Sequence, residues 1–197
     1  VSHPVSHPVS TREAILAGAE GVLVRRGVDA ASVGELAEAA GVTRPTVYAH
    51  FPGGKADVVA ALVARVRDDV LAAQEIRDTA DPLAIARRAI TDYLDLTVRH
   101  RRVLEVLAQL ARTDPAYSSV QAELLDRVHR RNARFLTRLA AEGRAAPVMA
   151  PMHVSEAITG VVRRFAERID EDPEVRGDLV EAAVAAYVAL GGLRPCE

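Results

Sequence analysis

Residues 41–51 read GVTRPTVYAHF, and this stretch decides the fold class, because a turn residue, a helix cap and a short one-sided helix follow one another without a gap. Thr43 carries a hydroxyl suited to accept from the N–H groups of a first helical turn. Pro45 falls in that turn, where its missing N–H is harmless, and Val42 and Val47 have the spacing of a hydrophobic staple. A helix is therefore predicted from about residue 44 to residue 50. Just upstream, Ser32 and Glu35 have the spacing of a capping box, so another short helix starts at about Val33 and places Leu36, Ala37 and Ala40 on one face. Gly41 is free to take a positive φ, which ends that helix and turns the chain toward the next. The small Ala37 permits a close crossing, and Val47 plugs the space between the two helices. Such a pair is a helix-turn-helix, whose second helix enters a DNA groove. A plain helical hairpin also uses Ala and Gly; the combination of cap, turn and plug favours DNA binding over it.

The remaining composition fits this reading. A chain of 197 residues, 49% hydrophobic and 26% charged, has material for one sizeable core and a small appended domain. No apolar run approaches the roughly 18 residues of a membrane-spanning helix. The opening VSHPVSHPVS lacks the charged and apolar regions of a signal peptide, so cytoplasmic residence without a membrane partner is expected. The single cysteine, Cys196, excludes an internal disulfide and a cysteine-rich metal site. The formal net charge is −2. Between residues 11 and 55 the signs balance, with Arg12, Arg25, Arg26, Arg44 and Lys55 against Glu13, Glu20, Asp29, Glu35 and Glu38. Modest non-specific DNA affinity and reliance on a dimer follow.

Residues 1–10 contain a doubled VSHP and are expected to form a disordered arm, with His3 and His7 inert rather than metal-binding. Residues 11–55 form the helix-turn-helix domain, and residues 56–197 a ligand-binding and dimerisation domain. Helical periodicity runs to the end with breaks at 79–82, 113–115, 143–151 and 170–173, and no strand-like alternation interrupts it. The predicted class is all-α with about nine helices, four of them between residues 57 and 142.

In these features the chain resembles the TetR family of bacterial transcriptional regulators. The family pattern is an opening helix, a Gly, a capped helix ending in Ala-Gly-Val, a recognition helix ending in Tyr-x-His/Tyr-Phe, and a Lys opening helix four. The matching segments are 12–26, Gly27, 32–42, 43–51 and Lys55. The specific likeness covers about the first quarter of the chain; the rest is similar only in length and all-helical pattern. The resemblance implies a homodimer joined by the last two helices, a near-palindromic operator in double-stranded DNA, and a small-molecule effector bound in the second domain. Lys55, the only lysine, stands near the family's phosphate-binding lysine, although Pro52, Gly53 and Gly54 set it one residue farther from Phe51 than the commonest spacing.

Side-chain chemistry assigns roles within this frame. Arg44 is placed to donate two hydrogen bonds to a guanine edge and Pro45 to press on a thymine methyl; Thr43, Thr46, Tyr48 and His50 offer mostly phosphate contacts, and Ser32 and Lys55 complete the DNA-binding set. Ala49 leaves one position without a base contact, and Val47 and Phe51 are core. Along 153–169 an apolar stripe includes Val154, Ile158, Val161, Val162 and Phe165; along 179–190 only Glu181 is charged. Those five residues, with Val180, Val184 and Tyr187, are expected at the dimer interface, the alternative being a central helix within one monomer. On the helix over 83–99 Thr97 shares an apolar face that Tyr93 adjoins, and on the helix over 117–142 Asn132 interrupts an apolar line with His129 beside it; these four are the candidates for a mainly aliphatic cavity. Its effector is expected to be apolar or amphipathic, with no cofactor. The leading function is a dimeric repressor released from its operator by a ligand; the same fold acting as an activator or without a ligand is the alternative. A small helical enzyme is the remote one, since the chain has no zinc-helix motif, glycine-rich phosphate loop, nucleophile elbow or facing pair of acids.

Overall fold

The computed structural model describes residues 10–72 and 81–194, and the expected arm over 1–10, apart from Ser10, lies outside them, as does Cys196. The described residues form eight α-helices and one 3-10 turn, slightly fewer helices than the nine or so expected. They fall into two compact units, whose boundaries cut through two long helices.

The first unit comprises the described residues up to Val66 together with Arg102–Leu110, so it extends beyond the boundary expected at residue 55. α1 (Thr11–Arg26) is capped by Ser10, whose hydroxyl accepts from Glu13 N–H, and it buries Ile15, Leu16, Ala19, Val22 and Leu23. α2 (Val33–Ala39) starts on the expected capping box: Glu35 N–H donates to Ser32 Oγ at 3.2 Å and Ser32 N–H to Glu35 Oε2 at 2.8 Å. Gly41 has φ 67°, and α3 (Arg44–His50) follows with Thr46 N–H donating to Thr43 Oγ1. α4 (Lys55–Ala72) contributes Val58, Val59, Leu62, Val63 and Val66 to the buried set, which is why its first half belongs with the head.

The second unit holds the rest. α5 (Pro82–Leu110) starts where the Asp81 carboxylate accepts from Leu83 and Ala84 N–H. It runs unbroken past residue 99 because no Gly or Pro lies between Leu83 and Thr113, so the described residues between 57 and 142 hold three helices where four were expected, residues 73–80 lying outside them. α6 (Pro115–Ala141) is capped by Asp114; α7 (Pro151–Glu171), the 3-10 turn Pro173–Val175 and α8 (Arg176–Gly191) complete the fold. Their core gathers Leu94, Leu136, Leu139, Ile158, Val162, Ala183 and Tyr187. Residues 145–148 lie antiparallel to 190–193, with Ala146 N–H donating to Gly192 O at 2.9 Å. Forked ion pairs, Arg176 on Asp95 and Arg87 on Glu181, join α5 to α8. Being exposed, they fix register more than they stabilise. No helix among the described residues is long and apolar enough to cross a membrane.

Candidate functional site

α3 buries one side and exposes the other. Val47 and the adjoining Phe51 are buried, whereas Thr43, Arg44, Pro45, Tyr48, Ala49 and His50 are exposed and Thr46 half-buried. The guanidinium of Arg12 lies over the Phe51 ring, 5.0 Å from its centre, and covers that side of the plug. Thr43 and Thr46 hydroxyls are 2.8 Å apart and hydrogen-bonded to each other, so the cap is a pair. The Arg44 guanidinium packs over Gly34 of α2, where a Cβ would overlap it. Sequence periodicity carries no sign of that role for Gly34.

Two members of the expected DNA-binding set have other partners here. The Ser32 hydroxyl accepts from Glu35 N–H and donates to Glu35 Oε2, which uses its one donor. Lys55 Nζ donates to the carbonyls of Val28, of Asp29 at 3.2 Å and of Ala31 at 2.9 Å, clamping the loop between α1 and α2. A tetrahedral ammonium directs three donors at three converging carbonyls, which a planar guanidinium does not; this accounts for a lysine in an arginine-using chain. Next to it, Asp57 Oδ2 accepts from Gly53 N–H at 2.6 Å and closes the entry to α4.

The Glu35 carboxyl is held below its ordinary pKa, first by hydrogen bonds from the Ser32 backbone and hydroxyl, then by the nearby charge of Arg26, 3.2 Å away. A depressed carboxylate stabilises the fold above its unfolded pKa, and this contribution is lost as pH falls through the folded value. Ser32→Ala is expected to lower the stability of the head by about 1 kcal/mol. Thermal melts should also show the variant less sensitive than the parent to acidification across the carboxylate range.

In the second unit a cavity of about 120 Å³ opens among α4, α5, α6, α7 and α8. Its apolar lining includes Val70, Ile85, Ile90, Leu96, Phe135 and Ile158; its polar lining is Asp92, Tyr93, Arg131, Asn132, Ser155, Thr159 and Tyr187. Tyr93 and Asn132, two of the expected effector contacts, lie in this wall. Thr97 and His129 are not in the wall. Thr97 Oγ1 donates to Tyr93 O at 2.7 Å, back-bonding within its own helix, and His129 Nε2 pairs with Thr159 Oγ1 at 3.2 Å, behind the lining. The Tyr93 hydroxyl also meets Thr159, and burial raises its pKa; Tyr187, raised likewise by burial, donates to Asn132 Oδ1. Asp92, Arg131, Ser155 and Thr159 are not among the sequence candidates, although Arg131 sits between Val128 and Phe135 and Ser155 three residues before Ile158, on apolar stripes.

The expected dimer residues need correction. Val154, Ile158, Val162, Val180, Val184 and Tyr187 are buried within this chain, in one core cluster with residues of α5 and α6. The stripe on α7 marks the inward face. Val161 and Phe165 remain half-buried, and the outer faces of α7 and α8 carry Met152, Ala157, Gly160, Ala182, Ala185 and Ala189 exposed or half-buried. α8 looked apolar all round because alanine fills the outward positions.

These features have relatives. The sequence pattern of the bacterial regulatory proteins of the tetR family matches residues 15–62. The chain is 36% identical over 103 residues to the HTH-type transcriptional regulator TtgR of Pseudomonas putida, covering 49% of each. It is 32% identical over 121 residues to the HTH-type transcriptional repressor BepR of Brucella suis, covering 60% of this chain and 57% of that one. The matches thus span about half the length of these relatives. The crystal structure of the TetR family transcriptional regulator PfmR from Thermus thermophilus has the same fold, with a TM-score of 0.73 at 22% identity over 91% of this chain and 98% of that one.

Proposed function

We infer, for a chain that belongs to the tetR family of bacterial regulatory proteins, that it is a dimeric repressor of transcription, released from a near-palindromic operator by a small-molecule effector. The observation that carries this reading is α3, which exposes Arg44, Pro45, Tyr48 and His50 along one side while Val47 and Phe51 anchor the other. Arg44 moves off Gly34 to donate to a guanine, Pro45 contacts a thymine methyl, and Thr43, Thr46, Tyr48 and His50 contact phosphate. Lys55 and Ser32 act on DNA by holding the head in shape. The naming of BepR as a repressor supports that sign of regulation.

A second copy joins through the outer faces of α7 and α8. Small side chains there let two helix pairs approach closely, and Val161, Phe165 and Met152 supply the apolar contact. Two heads then read half-sites on one side of the duplex, in the cytoplasm. The cavity supports an effector, which works only if it binds the operator-incompetent conformation better than the competent one.

Selection of bound sequences from a random DNA pool, at stated salt, tests the reading. An enriched near-palindrome is expected, with two protomers per site by light scattering. Arg44→Ala should then weaken binding to that sequence about tenfold and leave non-specific DNA nearly unaffected. Equal losses on both would make Arg44 a phosphate contact. No enrichment over the starting pool would remove the DNA-reading function.

A further inference from the structure

We propose that the cavity of the second unit takes a small organic anion, an apolar body of about one ring or a short chain ending in a carboxylate, with Arg131 as its counter-charge and Ser155 as its hydrogen-bond partner. The inference deepens the effector reading and rests on it.

Most polar groups in the wall already have partners within the chain. Tyr93, Thr159 and His129 bond in sequence, Tyr187 donates to Asn132, and Asp92 pairs with Arg88 at 3.4 Å. Two groups are left over. Ser155 Oγ is buried, with the residue only 1% exposed, and has no hydrogen-bond partner among the described residues. Arg131, half-buried in the same wall, makes no hydrogen bond or ion pair among the described residues, and burial alone pulls its pKa below the ordinary value. Buried polar groups are paired in nearly all proteins, and an unpaired one at a cavity wall marks where a ligand supplies the partner. The missing partner of a guanidinium is an anion, and a carboxylate is the planar anion that its fork accepts through two bonds.

Size limits the rest of the molecule. A cavity of about 120 Å³ is slightly smaller than the roughly 150 Å³ site that holds benzene in an engineered core, so one ring or a chain of about five or six carbons fits. Ile85, Ile90, Leu96, Phe135 and Ile158 match such a body, and the tyrosine and asparagine between them are already paired.

Isothermal titration of the full chain with hexanoate and benzoate, against 1-hexanol, benzyl alcohol and hexylamine, tests the assignment. The carboxylates should bind at least tenfold tighter than the alcohols, and the amine should not bind. Arg131→Gln should abolish that preference, Arg131→Lys should restore part of it, and Ser155→Ala should weaken the carboxylates several-fold. The ligand-free melting temperature of Arg131→Gln should equal or exceed that of the parent, because an uncompensated half-buried charge has been removed; a marked fall would make Arg131 a structural residue and overturn the proposal. Equal binding of alcohols and carboxylates overturns the anion while leaving an effector cavity in place. Binding of none of the five overturns both.

Discussion

Gly18→Val is expected to abolish DNA binding by unfolding the close crossing of α1 and α2. A Cβ at residue 18 would stand 2.8 Å from the Ala39 carbonyl carbon, 2.9 Å from its oxygen and 2.9 Å from Ala40 N. All three are backbone atoms, so relief requires moving the C-terminal end of α2, and with it Gly41 and the reading helix beyond. Two effects oppose each other. Replacing a mid-helix glycine gains up to about 1 kcal/mol in helix propensity, less for a β-branched residue, whereas overpacking costs about 1–3 kcal/mol and more when the neighbour cannot yield. The steric term wins, and with valine's extra methyl groups a loss of about 3 kcal/mol or more is expected. Gly21 is the internal control. A Cβ there meets first the end of the Arg25 side chain, at 3.1 Å, which can swing away, so Gly21→Ala should leave stability unchanged or raised. Thermal melts and binding to non-specific DNA at low salt separate the two. A Gly18→Val protein that melts with the parent would show that the helices do not approach this closely.

The short-range chemistry of the head was legible in the chain, and the long-range chemistry was not. Ser32, Glu35, Gly41, Thr43 and Pro45 act within four residues of themselves, so a capping box, a positive φ and an N-cap can be read from spacing. Lys55 acts on carbonyls 24 to 27 residues away, and nothing in its own neighbourhood announces them. The apolar stripe of α7 said which face is buried but not against what. Periodicity is the same whether the cover is a second subunit or, as here, α6 and α8 of the same chain. The cavity shows both outcomes. Asn132, a polar break in an apolar stripe, and Tyr93, beside one, line the wall, yet Thr97, polar on the same kind of stripe, bonds back to its own helix, and the lack of a partner for Ser155 exists only in three dimensions.

Lys55→Met decides between the two roles open to that residue. As a loop clamp, its ammonium satisfies three carbonyls, two of them at part-buried positions, and each charge-assisted bond is worth about 1.5–3 kcal/mol when its partner is not left to water. Water replaces some of that in the variant, so a loss of about 3 kcal/mol from the head is expected rather than the sum. Amides at residues 28–31 should exchange faster, and DNA affinity should fall at least tenfold because the spacing of α1 from α2 is no longer held. Lys55→Arg should not rescue either property, since the planar fork cannot meet three carbonyls that converge on one point. A phosphate contact predicts a different pattern. There, Lys55→Met would melt with the parent, the slope of binding against salt would drop by about one counterion, and Lys55→Arg would restore affinity. The geometry favours the clamp: an ammonium turned inward on three oxygens must break those bonds to reach a phosphate, and in water a phosphate contact returns less than it would give up.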